Sequence, residues 1–191
     1  MTCFTPGTLV TTLQGKRRVE ALRPGDRLLT RDRGFRPLVW RGIRPARAVT
    51  PSESPVLVRA GALGNDRPDR DMVVSPGHRF LVTDRRLLRG LGEPEALVEA
   101  SALTDRPGIG WLGTAVSYVH LLLEQHEVIL SENTWTESFR LSESVARTLH
   151  AAGPEDVLSL YPQLRAEPRT AVQAPARMLL SAQAWQHVLS A

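Results

Sequence analysis

The sequence predicts a mainly β protein with a helical C-terminal extension, and three observations support this expectation. Between residues 3 and 83, short runs rich in Val, Leu and Thr alternate with Pro/Gly turns, and helical spacing is scarce. Strand-like apolar runs return over residues 116–123 and 128–130. After residue 139 the apolar residues follow helical spacing instead. We therefore expect a β domain over residues 1–138 and a helical extension over residues 139–191.

The first half of the chain contains a series of short predicted strands. They cover residues 8–12, 18–22, 27–30, 37–40, 56–58 and 72–74, with turns at Gln14-Gly15, Pro24-Gly25-Asp26 and Asp32-Arg33-Gly34. Residues 61–71 are polar and show no period, so we expect a loop there.

The second half is more mixed. Residues 94–98 and 100–103 are short and weakly helical, whereas Ser142 begins a pattern typical of a capped helix. Further predictions are a helix over residues 154–160, a linker over 168–175 and a helix over 176–189.

Composition limits the class of protein. A chain of 191 residues can bury about 70% of its extended surface, so a core can form without covalent staples. A single cysteine excludes an internal disulfide. No apolar run reaches the roughly 18 residues of a membrane span, and no signal-peptide pattern follows Met1. We expect a soluble protein, cytoplasmic by default, without a membrane partner.

The formal net charge of +4 conceals opposite charges in the two halves. Residues 1–90 hold 18 Lys and Arg against 8 Asp and Glu, whereas residues 91–191 hold 6 against 12. We expect the halves to be complementary, with many arginines facing internal acids. Nucleic-acid binding is the alternative, but an aromatic content of 5% offers few stacking platforms, and we expect no nucleic-acid partner.

Two segments contain candidate catalytic groups. Cys3 precedes a turn that leads into a strand, and its thiolate would be a strong nucleophile, although a lone cysteine is also commonly a small buried hydrophobe. Ser75 and His78 bracket a Pro-Gly corner, so a hydroxyl and an imidazole project from one turn. Such a pair suits polarising a carbonyl and protonating a leaving nitrogen. The alternative is a capped hairpin corner with an exposed histidine.

His120 and His126 are further candidates. They would share a face on one uninterrupted strand, but not if Glu124-Gln125 forms a hairpin turn. With Cys3 and His78 they could supply four zinc ligands, but the usual close pairs of a zinc site are missing. No phosphate- or dinucleotide-binding motif occurs, and we expect neither a metal nor a cofactor.

Four segments, in order, resemble the bacterial branch of the Hint family, the fold shared by hedgehog autoprocessing domains and inteins. The first two are residues 3–10 (CFTPGTLV) and residues 19–28 (VEALRPGDRL). Residues 75–78 (SPGH) are similar to the family's Thr-x-x-His motif, with Ser in place of Thr. The last is residues 118–139, which contain YVH, HEV and ENTWTESF and look like the late motif.

The resemblance implies a horseshoe-like all-β domain with pseudo-two-fold symmetry, and self-processing chemistry. Cys3 would attack the carbonyl of the preceding residue and form a thioester. Ser75 would bind or polarise the region of the scissile carbonyl, and His78 would protonate the departing nitrogen. His120 stands where many relatives carry Asp and would assist proton transfer, and His126 aligns with a later family histidine.

Departures from the family narrow this expectation. Splicing inteins end in His-Asn, whereas the corresponding place here reads Glu137-Ser138, so full splicing is not expected. The thioester would be resolved by hydrolysis or by an external nucleophile, with the protein's own N-terminal flank as substrate. Only Met1-Thr2 precedes Cys3 in the sequence, which favours the alternative of a vestigial site in an interaction module. The oligomeric state is left open.

Overall fold

The computed structural model describes residues 2–45 and 54–190, apart from the side chain of Ala152, and confirms the mainly β class. The strands are β1 (Leu9–Thr12), β2 (Gly15–Arg18), β3 (Arg27–Thr30), β4 (Gly34–Arg44), β5 (Val56–Val58), β6 (Met72–Val74), β7 (Arg79–Thr83), β8 (Glu95–Glu99), β9 (Ile109–Trp111), β10 (Tyr118–Leu123), β11 (Val128–Ser131), β12 (Thr134–Glu137) and β13 (Met178–Leu180). The α-helices are α1 (Arg85–Leu91), α2 (Glu143–Ala152), α3 (Glu155–Leu160), α4 (Gln163–Ala166) and α5 (Ala182–Ser190).

Ten strands form one long curled sheet in the order β10-β4-β3-β1-β11-β12-β7-β8-β13, with β2 paired to β1. A second sheet has the order β6-β5-β9. Strand β4 is eleven residues long and pairs with β3 through its first half and with β10 through its second half. Alternation of buried and half-exposed residues along β1 and β5 shows that one face of each strand packs on the core.

The strand predicted over residues 18–22 is wrong beyond Arg18, because β2 ends there and Val19–Ala21 form a 3₁₀ helix. Val19 and Leu22 are fully buried, whereas Glu20 and Ala21 between them are not. A spacing of three residues matches one turn of a 3₁₀ helix, which places both apolar side chains on the same side. In a strand, side chains three positions apart would face opposite sides of the sheet.

The weak helix predicted over residues 94–98 is also wrong, because Glu95–Glu99 form β8. Ala96, Leu97 and Val98 are consecutive and buried, as expected of a strand that lies between two others. The helix predicted over 176–189 begins only at α5, since Met178–Leu180 form β13 and pair in parallel with β8. In both cases pairing with a neighbouring strand determines the conformation, and the local spacing of apolar residues gives no sign of that pairing.

The helices predicted near residues 142 and 154 are confirmed as α2 and α3. Ser142 Oγ caps α2 by accepting a hydrogen bond from the backbone N–H of Val145. These helices and α4 pack on Trp40, Leu122 and Phe139 and form a second apolar cluster beside the main core. No helix in the described part of the chain is both long and apolar enough to cross a membrane.

Ion pairs join the basic half to the acidic half, as the charge pattern predicts. Arg31 pairs with Glu95, and Arg33 pairs with the buried Glu127. Arg79 contacts two acids of the second half, Glu99 and Glu137. The arginines of the first half therefore neutralise several carboxylates inside the molecule.

Candidate active site

The start of the chain pairs with two strands at once, and this register builds the site. Phe4 forms an antiparallel bridge with Val119 of β10 and another with Val74 of β6. In an antiparallel pair, the residue before one partner lies opposite the residue after the other. Cys3 is therefore flanked by His120 on one side and by Ser75 on the other.

The thiol of Cys3 lies against the imidazole of His120. Its Sγ atom is 3.5 Å from Nδ1 and 3.9 Å from Nε2 of that ring. Burial raises the pKa of the Cys3 thiol to about 11, although a side-chain hydrogen bond with Ser75 opposes this effect. At neutral pH the sulfur therefore carries its proton and needs a base to become a nucleophile.

His120 contacts the carbonyl that precedes Cys3. Its Nδ1 atom lies 3.1 Å from the carbonyl oxygen of Thr2. Burial lowers the pKa of His120 to about 4, so the ring is neutral at pH 7. Trp40 stacks on one side of the ring, and the edge of Phe139 contacts it at a centroid distance of 4.8 Å. These aromatic neighbours fix the ring between thiol and carbonyl.

Ser75 holds the nitrogen side of the same peptide. The backbone N–H of Cys3 donates to Ser75 Oγ at 3.0 Å, and the N–H of Ser75 donates to the Cys3 carbonyl oxygen at 3.1 Å. The Ser75 hydroxyl, which we expected near the scissile carbonyl, therefore contacts the amide N–H instead. His120 is the residue that contacts the carbonyl oxygen. The Thr2–Cys3 peptide has a polar side chain at each end.

His78 is completely buried. Its ring packs edge-on against Phe4, the residue after Cys3, and against Phe80. Within the described part of the chain, neither ring nitrogen has a hydrogen-bond partner. Burial lowers the pKa of His78 to about 4, so this ring is also neutral at pH 7. A buried imidazole with both nitrogens unsatisfied is unusual for a purely structural residue.

His126 belongs to a different group of side chains. It follows β10 and lies beyond the Glu124-Gln125 break, so the shared strand face with His120 does not form. Its Nδ1 atom accepts a hydrogen bond from the backbone N–H of Ala176 at 3.0 Å, which places the ring hydrogen on Nε2. Nε2 lies 3.2 Å from Oε2 of Glu137 and donates to it.

Glu137 links that group to the scissile peptide, and the sequence alone did not identify it as a site residue. Thr2 Oγ1 donates to Glu137 Oε1 at 2.5 Å, and the guanidinium of Arg79 lies 3.3 Å from the same oxygen. Burial by itself raises the pKa of Glu137, but the hydrogen bond from His126 and the charge of Arg79 outweigh it and leave that pKa below its usual value. Glu137 is thus a fully buried carboxylate.

One cleft borders His120, and another borders Thr2. The first, of about 190 Å³, has Trp40 and Phe139 in its wall together with the charged residues Arg41, Arg44 and Asp156. The other, of about 370 Å³, borders Thr2 and is lined by Arg79 and Arg140 together with hydroxyls of Ser142, Ser144 and Thr148. Thr2 therefore borders a cleft although it is only 7% exposed.

The family model of the Hint domain matches residues 2–143. The chain belongs to the Hint domain family. Membership supports a self-processing domain in general, and the long curled sheet is the architecture expected of it. Cys3, Ser75, His78, His120 and His126 all lie within this range of the chain.

Solved structures with similar folds include inteins and an intein-like domain. The bacterial intein-like domain from Clostridium thermocellum has 15% sequence identity and a TM-score of 0.48, over 73% of this chain and 99% of that one. A DnaB intein from Synechocystis sp. PCC 6803 has 9% identity and a TM-score of 0.47, and the match covers 73% of this chain and 99% of the intein. The gp41-1 intein has 12% identity and a TM-score of 0.43, and the match covers 71% of this chain and 98% of the intein. No curated protein matches the chain.

Proposed function

We propose that this Hint domain cleaves its own N-terminal flank through a thioester formed at the Thr2–Cys3 peptide. One observation supports this most directly: His120 Nδ1 lies 3.5 Å from the Cys3 sulfur and 3.1 Å from the Thr2 carbonyl oxygen. A single neutral ring thus contacts both the nucleophile and the group that it would attack.

The tautomer of His120 decides how the first step begins. With the hydrogen on Nδ1, the ring donates to the Thr2 carbonyl and leaves Nε2, 3.9 Å from the sulfur, as the base. Nε2 takes the thiol proton while Sγ forms a bond to the carbonyl carbon of Thr2. Negative charge then develops on the carbonyl oxygen, and the Nδ1 hydrogen stabilises it.

The intermediate collapses when the bond between the Thr2 carbonyl carbon and the Cys3 nitrogen breaks. The products are a thioester on Cys3 Sγ and a free amine on the same residue, so the proton lost by the thiol is matched by the proton gained by the nitrogen. His78 is the proposed acid for this transfer. Burial keeps His78 neutral. It can therefore act as an acid only after it receives the proton that His120 took from the thiol.

Resolution of the thioester completes the reaction. Water or an external nucleophile attacks the Thr2 carbonyl carbon, the bond to sulfur breaks, and the thiol of Cys3 is regenerated. The N-terminal flank leaves as a carboxylic acid or as the adduct of the nucleophile. Glu137 and Ser138 stand where splicing relatives have His-Asn, so the proposal includes no release of a C-terminal flank.

The decisive experiment fuses a folded partner ahead of Thr2 in the full chain and follows intact mass with and without hydroxylamine. We expect release of the partner as a hydroxamate, with no release in a Cys3→Ala variant. Stability of the fusion under hydroxylamine, or release that persists in Cys3→Ala, would overturn the proposal.

A second candidate function is an interaction module that keeps the fold without the chemistry. The raised pKa of the Cys3 thiol favours it, because an unactivated buried cysteine is typical of a structural residue. On this alternative, Cys3→Ala would change nothing except stability, and the fusion would stay intact under hydroxylamine.

A further inference from the structure

The side chain of Thr2 is bound as specifically as its carbonyl. Thr2 is 7% exposed, and its hydroxyl donates to Glu137 Oε1 at 2.5 Å, across 135 positions of sequence. This hydroxyl belongs to the residue that, under the proposed function, becomes the acyl group of the thioester.

The environment of Glu137 explains why it requires such a donor. The carboxylate is fully buried, and its low pKa keeps it charged. Oε2 accepts from His126, whose opposite nitrogen is fixed by Ala176, so this donor cannot move to the other oxygen without breaking that bond. Oε1 has Thr2 at 2.5 Å and Arg79 at 3.3 Å, which makes the hydroxyl its shorter contact.

We propose that Glu137 is a specificity-determining residue, which selects flanking polypeptides that end in a hydroxyl-bearing residue immediately before Cys3. The inference rests on the proposed function and names the substrate class of that reaction. A residue without a donor at position 2 would leave a buried carboxylate oxygen short of one hydrogen bond. Sites built in this way reject analogues that lack the group.

The same contact orients the reacting carbonyl. The hydroxyl bond to Glu137 and the Nδ1 contact with His120 hold Thr2 from two sides, at its side chain and at its carbonyl oxygen. Loss of the first contact frees the residue to rotate and moves the carbonyl away from the sulfur. We therefore expect position 2 to affect the rate of acyl transfer, and not only the stability of the chain start.

The test compares position-2 variants of the full-chain fusion by the rate of Cys3-dependent release under saturating hydroxylamine. Thr2→Val keeps the shape of the side chain and removes the hydrogen-bond donor. We expect release to slow on the order of 10- to 100-fold, which corresponds to the usual contribution of a hydrogen bond to a charged group. Thr2→Ser restores the donor and should recover most of the rate. Thr170→Val makes the same chemical change at an exposed threonine, outside the site, and should leave the rate unchanged.

A double-mutant cycle assigns the effect to Glu137. In a Glu137→Gln background we expect the penalty of Thr2→Val to shrink several-fold, to about 2- to 10-fold, because a neutral amide oxygen replaces the charged acceptor. Urea unfolding of each variant in the Cys3→Ala background verifies that the fold is retained. If Glu137→Gln does not fold, the rates of Thr2→Val and Thr2→Ser alone test whether the hydroxyl at position 2 is required.

The outcomes separate the two proposals. Rapid release from Thr2→Val, or an equal penalty in the parent and in the Glu137→Gln background, overturns the role of Glu137 while leaving the cleavage reaction intact. Absence of Cys3-dependent release from the parent fusion overturns the proposed function and this inference with it.

Discussion

The sulfur of Cys3 lies 3.5 Å from Nδ1 of His120, although 117 positions separate the two residues along the chain. The contact follows from backbone pairing: the residue after Cys3 and the residue before His120 exchange two hydrogen bonds, at 3.0 and 2.8 Å. A base contributed by a loop would depend on that loop's conformation. This one is positioned by a strand ladder and is therefore rigid before any reaction begins.

Replacement of His120 tests whether the ring acts as base, as donor or as both. We expect His120→Ala to slow hydroxylamine-induced release by ~10²–10⁴-fold, the usual contribution of a general base. His120→Asn can still donate to the Thr2 carbonyl but cannot accept the thiol proton, so it should recover only part of the loss. Release rates of the fusion, followed by intact mass, measure both variants. Full activity in His120→Ala would contradict the assigned role.

Replacement of His78 should separate activity from stability. In the described chain its ring nitrogens have no partner, and its ring packs against Phe4 and Phe80. His78→Leu removes the unsatisfied polar atoms at similar volume, so we expect unfolding free energy to stay level or rise by about 1–3 kcal/mol. Release should slow by ~10²–10⁴-fold if the ring protonates the leaving nitrogen.

Urea unfolding in the Cys3→Ala background and release from the parent fusion provide the two measurements for His78. A His78→Leu variant that loses stability and retains its rate would show that the imidazole is structural.

Short motifs pointed to Cys3, Ser75 and His120 as candidates: Ser75 follows the predicted strand over residues 72–74, and His120 lies within the apolar run over residues 116–123. The contacts among them could not be derived, since they depend on how β6 and β10 both pair with Phe4. Pairing between strands distant in sequence leaves no local periodic signal.

Glu137 illustrates what sequence reasoning missed at the site. An acid at the end of a strand is normally solvent-exposed, and only the donors brought by Thr2, Arg79 and His126 make its burial possible. These partners come from distant parts of the chain. The same limit applies to β8, whose buried character depends on its neighbours β7 and β13.

Gly42 provides a test of the cleft beside His120. A Cβ atom built on Gly42 would lie 2.0 Å from the ring of Trp40, two residues earlier on the same face of β4. Gly42→Ala must displace the indole, which also donates to Asp156 at 2.6 Å. We expect a loss of about 1–3 kcal/mol in unfolding free energy from overpacking, measured by urea unfolding.

Gly110→Ala is the matched control, because this strand glycine of β9 has open space where the Cβ would be placed. Release should slow in Gly42→Ala as well, since Trp40 stacks on the ring of His120. Equal stability of the two alanine variants would contradict the described position of Trp40.

The two buried histidines predict a loss of stability in mild acid. Burial lowers the pKa values of His78 and His120 from 6.5 to about 4, so the unfolded chain binds protons below pH 6.5 that the folded chain does not yet accept. Between pH 6.5 and about pH 4, proton binding therefore favours the unfolded state. The contribution of neutral burial is complete above pH 6.5 and is lost progressively as the pH falls towards 4.

At pH 5 each of these histidines should cost about 2 kcal/mol of unfolding free energy relative to pH 7. Glu137 adds little in this range, because its pKa is lowered and its contribution is lost only at pH values below 4.5. Urea unfolding of the Cys3→Ala protein at pH 7 and pH 5 measures the loss, and His78→Leu in that background should show about half of it. Equal unfolding free energies at the two pH values would mean that neither ring is held neutral by burial.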